Sequence, residues 1–356
     1  MLTRFFNWIW YGQSIAGRLI SWLFWPLACV FSIVSSKRRA RFVKGEAFAY
    51  HPPVPVIVVG NISVGGTGKS PLTVWLIEQL RANGFKPGVV SRGYGGSSDV
   101  YPYFVTETDS PDTVGDEPLM IHLRTGAPVV VDPNRANAVK HLLGQADIDV
   151  VISDDGLQHY GLSRTVELVV VDGKRGVGNG HLLPMGPLRE PVARLSAADA
   201  VVVNSADGNN ALPFTQEAPC FSMEIVPGDL VCFNSESQAL LDGSQLGKSD
   251  KERGLPINVE ALAGIGNPQR FFNTLDQLGI AHRPNVFPDH HDYSAQDLEK
   301  LQPNFILTTE KDAVKLRQFS HILGAYLPVS AQVQGGLIDV ILQRLNQFSQ
   351  HHQHKY

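Results

Sequence analysis

Ser63-Val-Gly-Gly-Thr-Gly-Lys-Ser70 combines the residue types and spacing that hold phosphate. It follows the pattern GxxxxGK[ST] with Ser63 in place of the first glycine. Gly65, Gly66 and Gly68 lack a Cβ, so successive backbone N–H groups around Val64 and Thr67 can turn inward on phosphate oxygens. Lys69 can neutralise β- and γ-phosphate charge, and the Ser70 hydroxyl can ligate Mg²⁺. A helix starting there would add the positive end of its dipole. A plain Gly-rich turn is the competing reading, and the order of strand, loop and helix around it argues for phosphate.

Val150-Val-Ile-Ser-Asp154-Asp155-Gly is an apolar strand ending in two acids. Carboxylates at a strand tip beside a phosphate loop can hold Mg²⁺, directly or through water, although paired acids also make turns. Gln158 and His159 follow just beyond. In Gly115-Asp116-Glu117-Pro118, before an apolar helix, Asp116 is a base candidate or a helix cap, and Glu117 is a further metal candidate. Ser91-Arg-Gly-Tyr94-Gly and Asp132-Pro-Asn-Arg135 are substrate loops or turns. Leu182-Leu-Pro-Met-Gly-Pro-Leu-Arg189-Glu190 is too rich in Pro and Gly for a helix, and Arg189 is a candidate ligand for an anionic group. Phe287-Pro-Asp-His290-His291-Asp-Tyr and Thr308-Thr-Glu-Lys311-Asp312 are polar clusters in loops or at strand ends. Adjacent histidines cannot readily share one ion, which argues against zinc.

The elements that must position these residues alternate. Short apolar runs over Val54–Val59, Gly88–Ser91, Pro128–Val131, Val150–Ser153, Glu167–Val171 and Ala200–Val203 read as buried strands. Helical patterns lie over Pro71–Ala82, Glu117–Arg124 and Arg135–Leu143. Such alternation means βαβ units and a mostly parallel sheet. The texture changes near residues 205–220. A second α/β stretch follows, with strands Glu260–Ile265, Phe305–Thr309 and Ala325–Val329 and a helix over Pro268–Leu278. A helix over Leu337–Phe348 could return to the first domain, before a polar tail holding His351, His352 and His354. The expected division is 1–45, 46–225, 226–330 and 331–356.

With 356 residues, 43% of them hydrophobic, the chain can build a core of two domains. Cys29, Cys220 and Cys232 form no CxxC pair, which argues against a zinc ribbon or disulfide framework and for a reducing cytosol. Residues 1–45 hold Arg4, Arg18, Lys37, Arg38, Arg39, Arg41 and Lys44 and no acid, so the remainder carries −11 of the net −4. An acidic body argues against nucleic-acid binding. Trp8, Trp10, Trp22 and Trp25 with that basic cluster point instead to a membrane surface. Between Arg18 and Lys37 lie 18 uncharged residues interrupted by Pro26. A full span, an interfacial or half-inserted helix, and a hydrophobic helix packed on the body all remain open, the interfacial helix preferred. A cleaved signal peptide fits poorly, because the basic cluster follows the apolar run.

Together these motifs resemble the tetraacyldisaccharide 4'-kinases, the lipid A 4'-kinases of Gram-negative bacteria. The resemblance rests on the N-terminal anchor, GNISVGGTGKSP, SRGYGG, GDEP, DDGLQH, LLPMGPLRE, AGIGNPQRFF, FPDHHDY and TTEKDAVK, in family order over nearly the whole chain. Ser63 agrees with the family; Ser70 stands where Thr is common. The resemblance implies an α/β P-loop NTPase-type fold with a mostly parallel sheet, a smaller second α/β lobe closing over the nucleotide, and an N-terminal membrane-associated helix. It implies ATP-dependent phosphorylation, with Mg²⁺, of the 4'-hydroxyl of a tetraacylated glucosamine disaccharide 1-phosphate, giving lipid IVA. This would take place at the cytoplasmic face of the bacterial inner membrane, without an obligate protein partner. It also implies Asp116 as base assisted by His290 across the two lobes, Asp154 and Asp155 on the metal side, and Tyr94, Arg135, Gln158, His159, Arg189 and Glu190 as substrate contacts.

The rival class is a membrane-associated P-loop ATPase switch of the division-site or partitioning type. Those proteins carry a signature lysine just before the two glycines, where this chain has Val64.

Overall fold

The computed structural model describes residues 2–12, 14–205, 217–244, 259–301, 305–319 and 321–353. The polar stretch 206–216 and His354 lie outside the described residues. The chain divides into two compact units, one of residues 1–92, 127–225 and 331–356, the other of residues 93–126 and 226–330. The segment 93–126, read from the sequence as part of the first domain, therefore packs with the second unit. Local patterning reports elements, not which layer a connection joins.

In the first unit a parallel sheet runs in the order Cys220–Pro227, Ala200–Asn204, Val166–Asp172, Val56–Gly60, Val150–Asp154, Pro87–Ser91, Val129–Val131. Val56–Gly60, Val150–Asp154 and Val166–Asp172 are buried throughout, as β-branched runs covered on both faces must be. Val56–Gly60 pairs on one side with Val150–Asp154, Val59 opposite Asp154, and on the other with Val166–Asp172. Three strand ends thus converge where the phosphate-type loop begins. Gly60 is required at that point, because a Cβ there would lie 2.6 Å from Leu157 Cβ. The next helix spans Lys69–Ala82 and buries Leu72, Val74, Leu76, Ile77 and Leu80. It starts earlier than Pro71, which the first turn tolerates. Helix Leu337–Gln353 also belongs to this unit and buries Leu337, Ile341 and Leu345.

Three helices, Leu2–Tyr11, Ile15–Trp22 and Trp25–Val43, open the chain. Pro26 sits in the first turn of the third rather than breaking a longer one. Among the described residues no single helix is long and apolar enough to cross a membrane; the second and third pass that test together, bent by 61°. Trp22, Leu23, Trp25, Leu27, Ile33 and Val34 are exposed.

The second unit has a five-stranded sheet in the order Arg283–Val286, Val259–Ala263, Phe305–Thr309, Gly324–Leu327, Val231–Cys232, the last pair antiparallel. Phe271, Phe272, Leu275 and Phe305 fill one face of it. Two helices carry its polar residues: Asp116–Thr125, and Glu310–Leu316, which follows Thr309 directly. The sequence reads the latter as a loop or strand end. Its seven residues are too few for a helical period to register.

Candidate active site

In the first unit the loop after Val56–Gly60 has the form of an anion cradle. Gly65 and Gly68 both adopt φ +100, a left-handed conformation that side-chain-bearing residues rarely take. Gly65 and Gly66 are exposed, while Thr67 is buried and its carbonyl accepts from Asn204 Nδ2 at 2.9 Å. The Pro187–Glu190 segment clamps the loop entrance: Val64 N–H donates to the Pro187 carbonyl at 2.9 Å, and Arg189 N–H to the Ile62 carbonyl at 2.6 Å.

Lys69 Nζ lies 3.5 Å from Asp155 Oδ1, and Arg189 Nη1 lies 3.2 Å from Asp155 Oδ2. Burial pushes the Asp155 carboxyl up, but Lys69 and Arg189 outweigh it and hold the group below the ordinary carboxylate range. Asp155 has φ 46, so the chain turns sharply at the strand end. Asp154 is buried, and its Oδ1 accepts from Thr73 Oγ1 at 3.1 Å, one helical turn beyond Ser70. Ser70, Asp154 and Asp155 offer only oxygen donors, the chemistry that suits a hard cation such as Mg²⁺. The residues present therefore fit both a nucleotide phosphate and its metal.

Three residues expected to touch substrate are also tied into the scaffold. Arg135 is 2% exposed and donates to the backbone carbonyls of Asp132 and Asp154, at 3.0 and 3.1 Å, tying two strand ends together. Glu190 is buried, accepts from Gln158 at 2.9 Å and Tyr160 at 2.6 Å, and pairs with Arg194 at 3.2 Å. Gln158 also donates to the Asn61 carbonyl at 3.1 Å, so its amide braces the loop. Burial, then repulsion from Arg135, Arg38 and Arg92, lowers His159 to about 4, which keeps the imidazole neutral near pH 7.

In the second unit Asp116 and His290 are already joined: His290 Nδ1 is 2.9 Å from Asp116 Oδ2. The expectation that the pair spans two lobes is corrected, because both residues belong to one unit. Asp116 is the first residue of its helix, with Gly115 as the cap, and its Oδ1 accepts from the Glu117 N–H at 2.9 Å. Tyr94, exposed in its loop, meets the His290 ring edge-on at 5.0 Å. His291 turns away and pairs with Asp297 at 3.3 Å.

Sequence reasoning missed Lys311 and Lys315 as members of this cluster. Lys311 Nζ lies 3.1 Å from Glu117 Oε1, 3.4 Å from His290 Nε2 and 3.8 Å from Asp116 Oδ2. Lys315 Nζ lies 3.4 Å from the same Asp116 oxygen. Glu117, offered above as a metal candidate, is thus the partner of an ammonium. Among the described residues no group of three or more His, Cys, Asp and Glu side chains is placed to hold a metal ion. An ammonium can only donate, so His290 Nε2 must accept and Nδ1 carries the hydrogen given to Asp116. Burial raises the Asp116 carboxyl, yet the His290 hydrogen bond and the two lysines win and lower it to about 2.

Comparison with known proteins adds to this geometry. The family model described as tetraacyldisaccharide-1-P 4'-kinase matches residues 20–346. A tetraacyldisaccharide 4'-kinase of Aeromonas salmonicida is 46% identical over 342 residues, covering 95% of each chain. One of Methylobacillus flagellatus is 41% identical over 352 residues, covering 97% of this chain and 98% of its own. The crystal structure of LpxK from Aquifex aeolicus in complex with ATP matches with a TM-score of 0.73 at 26% identity, covering 92% of this chain and 99% of the other.

Proposed function

The chain belongs to the tetraacyldisaccharide 4'-kinase family, and from that premise we propose how its own residues carry out the reaction. It is an ATP-dependent kinase acting on the 4'-hydroxyl of a tetraacylated glucosamine disaccharide 1-phosphate in lipid A biosynthesis. The observation that carries our assignment of parts is the Lys69–Asp155–Arg189 cluster at the mouth of a glycine cradle. Loop N–H groups and Lys69 bind the β- and γ-phosphates, and on nucleotide binding Lys69 exchanges its carboxylate for phosphate oxygens. Ser70, Asp154 and Asp155 would hold Mg²⁺, which screens phosphate charge when bound. Asp116 orients the acceptor hydroxyl and receives its proton, and His290 orients Asp116. Arg189, Tyr94 and His159 remain candidates for headgroup contact. The switch-type reading gains nothing from the structure: Val64 is half-buried at the place of the signature lysine.

Mass spectrometry of the lipid after incubation with ATP and the disaccharide 1-phosphate tests this directly. A gain of one phosphoryl group at the 4' position is expected; ATP hydrolysis without lipid product would overturn it.

We further assign membrane contact, at the cytoplasmic face of the inner membrane, to the exposed apolar faces of Ile15–Trp22 and Trp25–Val43, with Lys37, Arg38 and Arg41 toward anionic headgroups. Serine at Leu23, Trp25 and Leu27 together is expected to move the protein into the soluble fraction, whereas a high-salt wash of the native chain releases little. Full release by salt would mean that the basic residues alone hold it.

A further inference from the structure

Arg175 lies between the DDGLQH and LLPMGPLRE motifs, and its guanidinium reaches the phosphate loop. A Cβ built on Gly65 would sit 3.1 Å from Arg175 Nη1, so the fork lies over the first of the three loop glycines. Arg175 follows the strand Val166–Asp172, which pairs directly with the strand leading into the loop. Asp172 fixes this approach by accepting the backbone N–H groups of Lys174 and Arg175 on Oδ1, at 3.0 and 2.9 Å. The guanidinium also faces the Tyr11 ring, 5.7 Å from its centroid, at the end of the first helix. Trp10 secures that helix by donating Nε1–H to the Pro184 carbonyl at 3.0 Å. Among the described residues no carboxylate forms an ion pair with the Arg175 guanidinium, although Lys69 and Arg189 beside the same loop are both paired.

An Arg fork with no carboxylate partner among the described residues, held over a glycine of a phosphate loop, matches the terminal phosphates of a nucleoside triphosphate. We propose that Arg175 is a cis arginine finger, which stabilises the charge that develops as the γ-phosphoryl group leaves ATP. In that step the bond from the γ-phosphorus to the β,γ-bridging oxygen breaks and a bond to the 4'-oxygen forms. The hydroxyl proton leaves to the base, and the bridging oxygen departs on ADP. Charge accumulates on oxygens above the loop, where a switch ATPase would place its signature lysine and this chain has Val64. Tyr11 makes the first helix part of the arginine's seat.

This inference rests on the phosphate-loop reading of Ser63–Ser70, and the test separates the two. Binding of ADP alone and of ADP with aluminium fluoride, a mimic of the transferring phosphoryl group, is measured on the full chain. The native protein is expected to bind ADP more tightly with fluoride. Arg175→Gln should bind ADP within about tenfold of native, lose the fluoride-dependent gain, and lose roughly 10³-fold or more in kcat. Arg175→Lys should recover little, because an ammonium lacks the fork. Arg175→Gly should regain turnover on addition of guanidine at non-denaturing concentration, a rescue that a purely structural arginine would not show. Tyr11→Ser should lose part of the fluoride-dependent gain. If native protein binds neither ADP form, the phosphate-loop reading fails. If native and Arg175→Gln gain equally from fluoride, or the variant loses only ADP affinity, the arginine-finger assignment is overturned.

Discussion

Lys69→Ala is expected to lower kcat by about 10²–10³-fold or more while leaving the fold intact. The expectation follows from where its charge is kept. Nζ lies 3.5 Å from Asp155, which also holds Arg189 at 3.2 Å, so the free protein stores two cations on one carboxylate. Arriving phosphates offer the ammonium a better partner, and its value grows as charge shifts toward the leaving oxygen. Removing it should cost little stability, because Asp155 keeps Arg189 and its side chain is 36% exposed. Near-native melting with a collapsed kcat at saturating ATP is the expected pattern. Lys69→Arg should not restore turnover, since a planar fork cannot replace a compact ammonium inside a glycine cradle. Near-normal turnover in Lys69→Ala would remove the phosphate-loop assignment.

The glycine loop and the acidic strand end were legible as elements because their constraints are local. Only a buried strand gives Val56–Gly60 its unbroken apolar run, and only a loop that must wrap an anion needs three glycines within four residues of the next helix. Asp154 and Asp155 were equally readable, since a parallel strand delivers its last residues to the same sheet edge. Which of the candidates also brace the scaffold was not legible. Arg135, Gln158 and Glu190 have the chemistry of headgroup contacts, and the structure spends all three on neighbouring carbonyls and side chains. Nothing in a residue type says which way it points; strand register decides that. Asp116 and His290, 174 positions apart, could be paired only through resemblance. Lys311 and Lys315 stayed hidden because the short helix carrying them shows no period of its own.

That cluster also changes what Asp116 can be asked to do. Asp116→Asn should lose about 10²–10⁴-fold in turnover, while ADP binding, which depends on the phosphate loop, stays unchanged. Burial alone would make Asp116 a stronger base, but His290 and two ammonium groups lower it to about 2. Its ionised form contributes stability that is fully present above the unfolded carboxylate value of about 3.9 and is lost as pH falls through the folded value. Asp116 therefore stays ionised at every working pH, and the kcat profile should show no limb from it above about pH 4. So weak a base can still serve phosphoryl transfer: in a loose transition state the hydroxyl proton becomes acidic only as the new bond forms. A late transfer asks more of orientation than of basicity. His290 supplies that orientation through the contact of its Nδ1 with Oδ2, and Lys311 sits beside its Nε2. His290→Ala should accordingly cost less than Asp116→Asn, and the double variant should be little worse than Asp116→Asn alone, because the two act as a unit. Asn keeps the acceptor for the Glu117 N–H but removes the charge that faces Lys315 at 3.4 Å. Asp116→Asn should therefore melt earlier than native, and kcat must be read below its transition. An Asp116→Asn protein that is folded, binds ADP and phosphorylates lipid at the native rate would return Asp116 to a purely structural role.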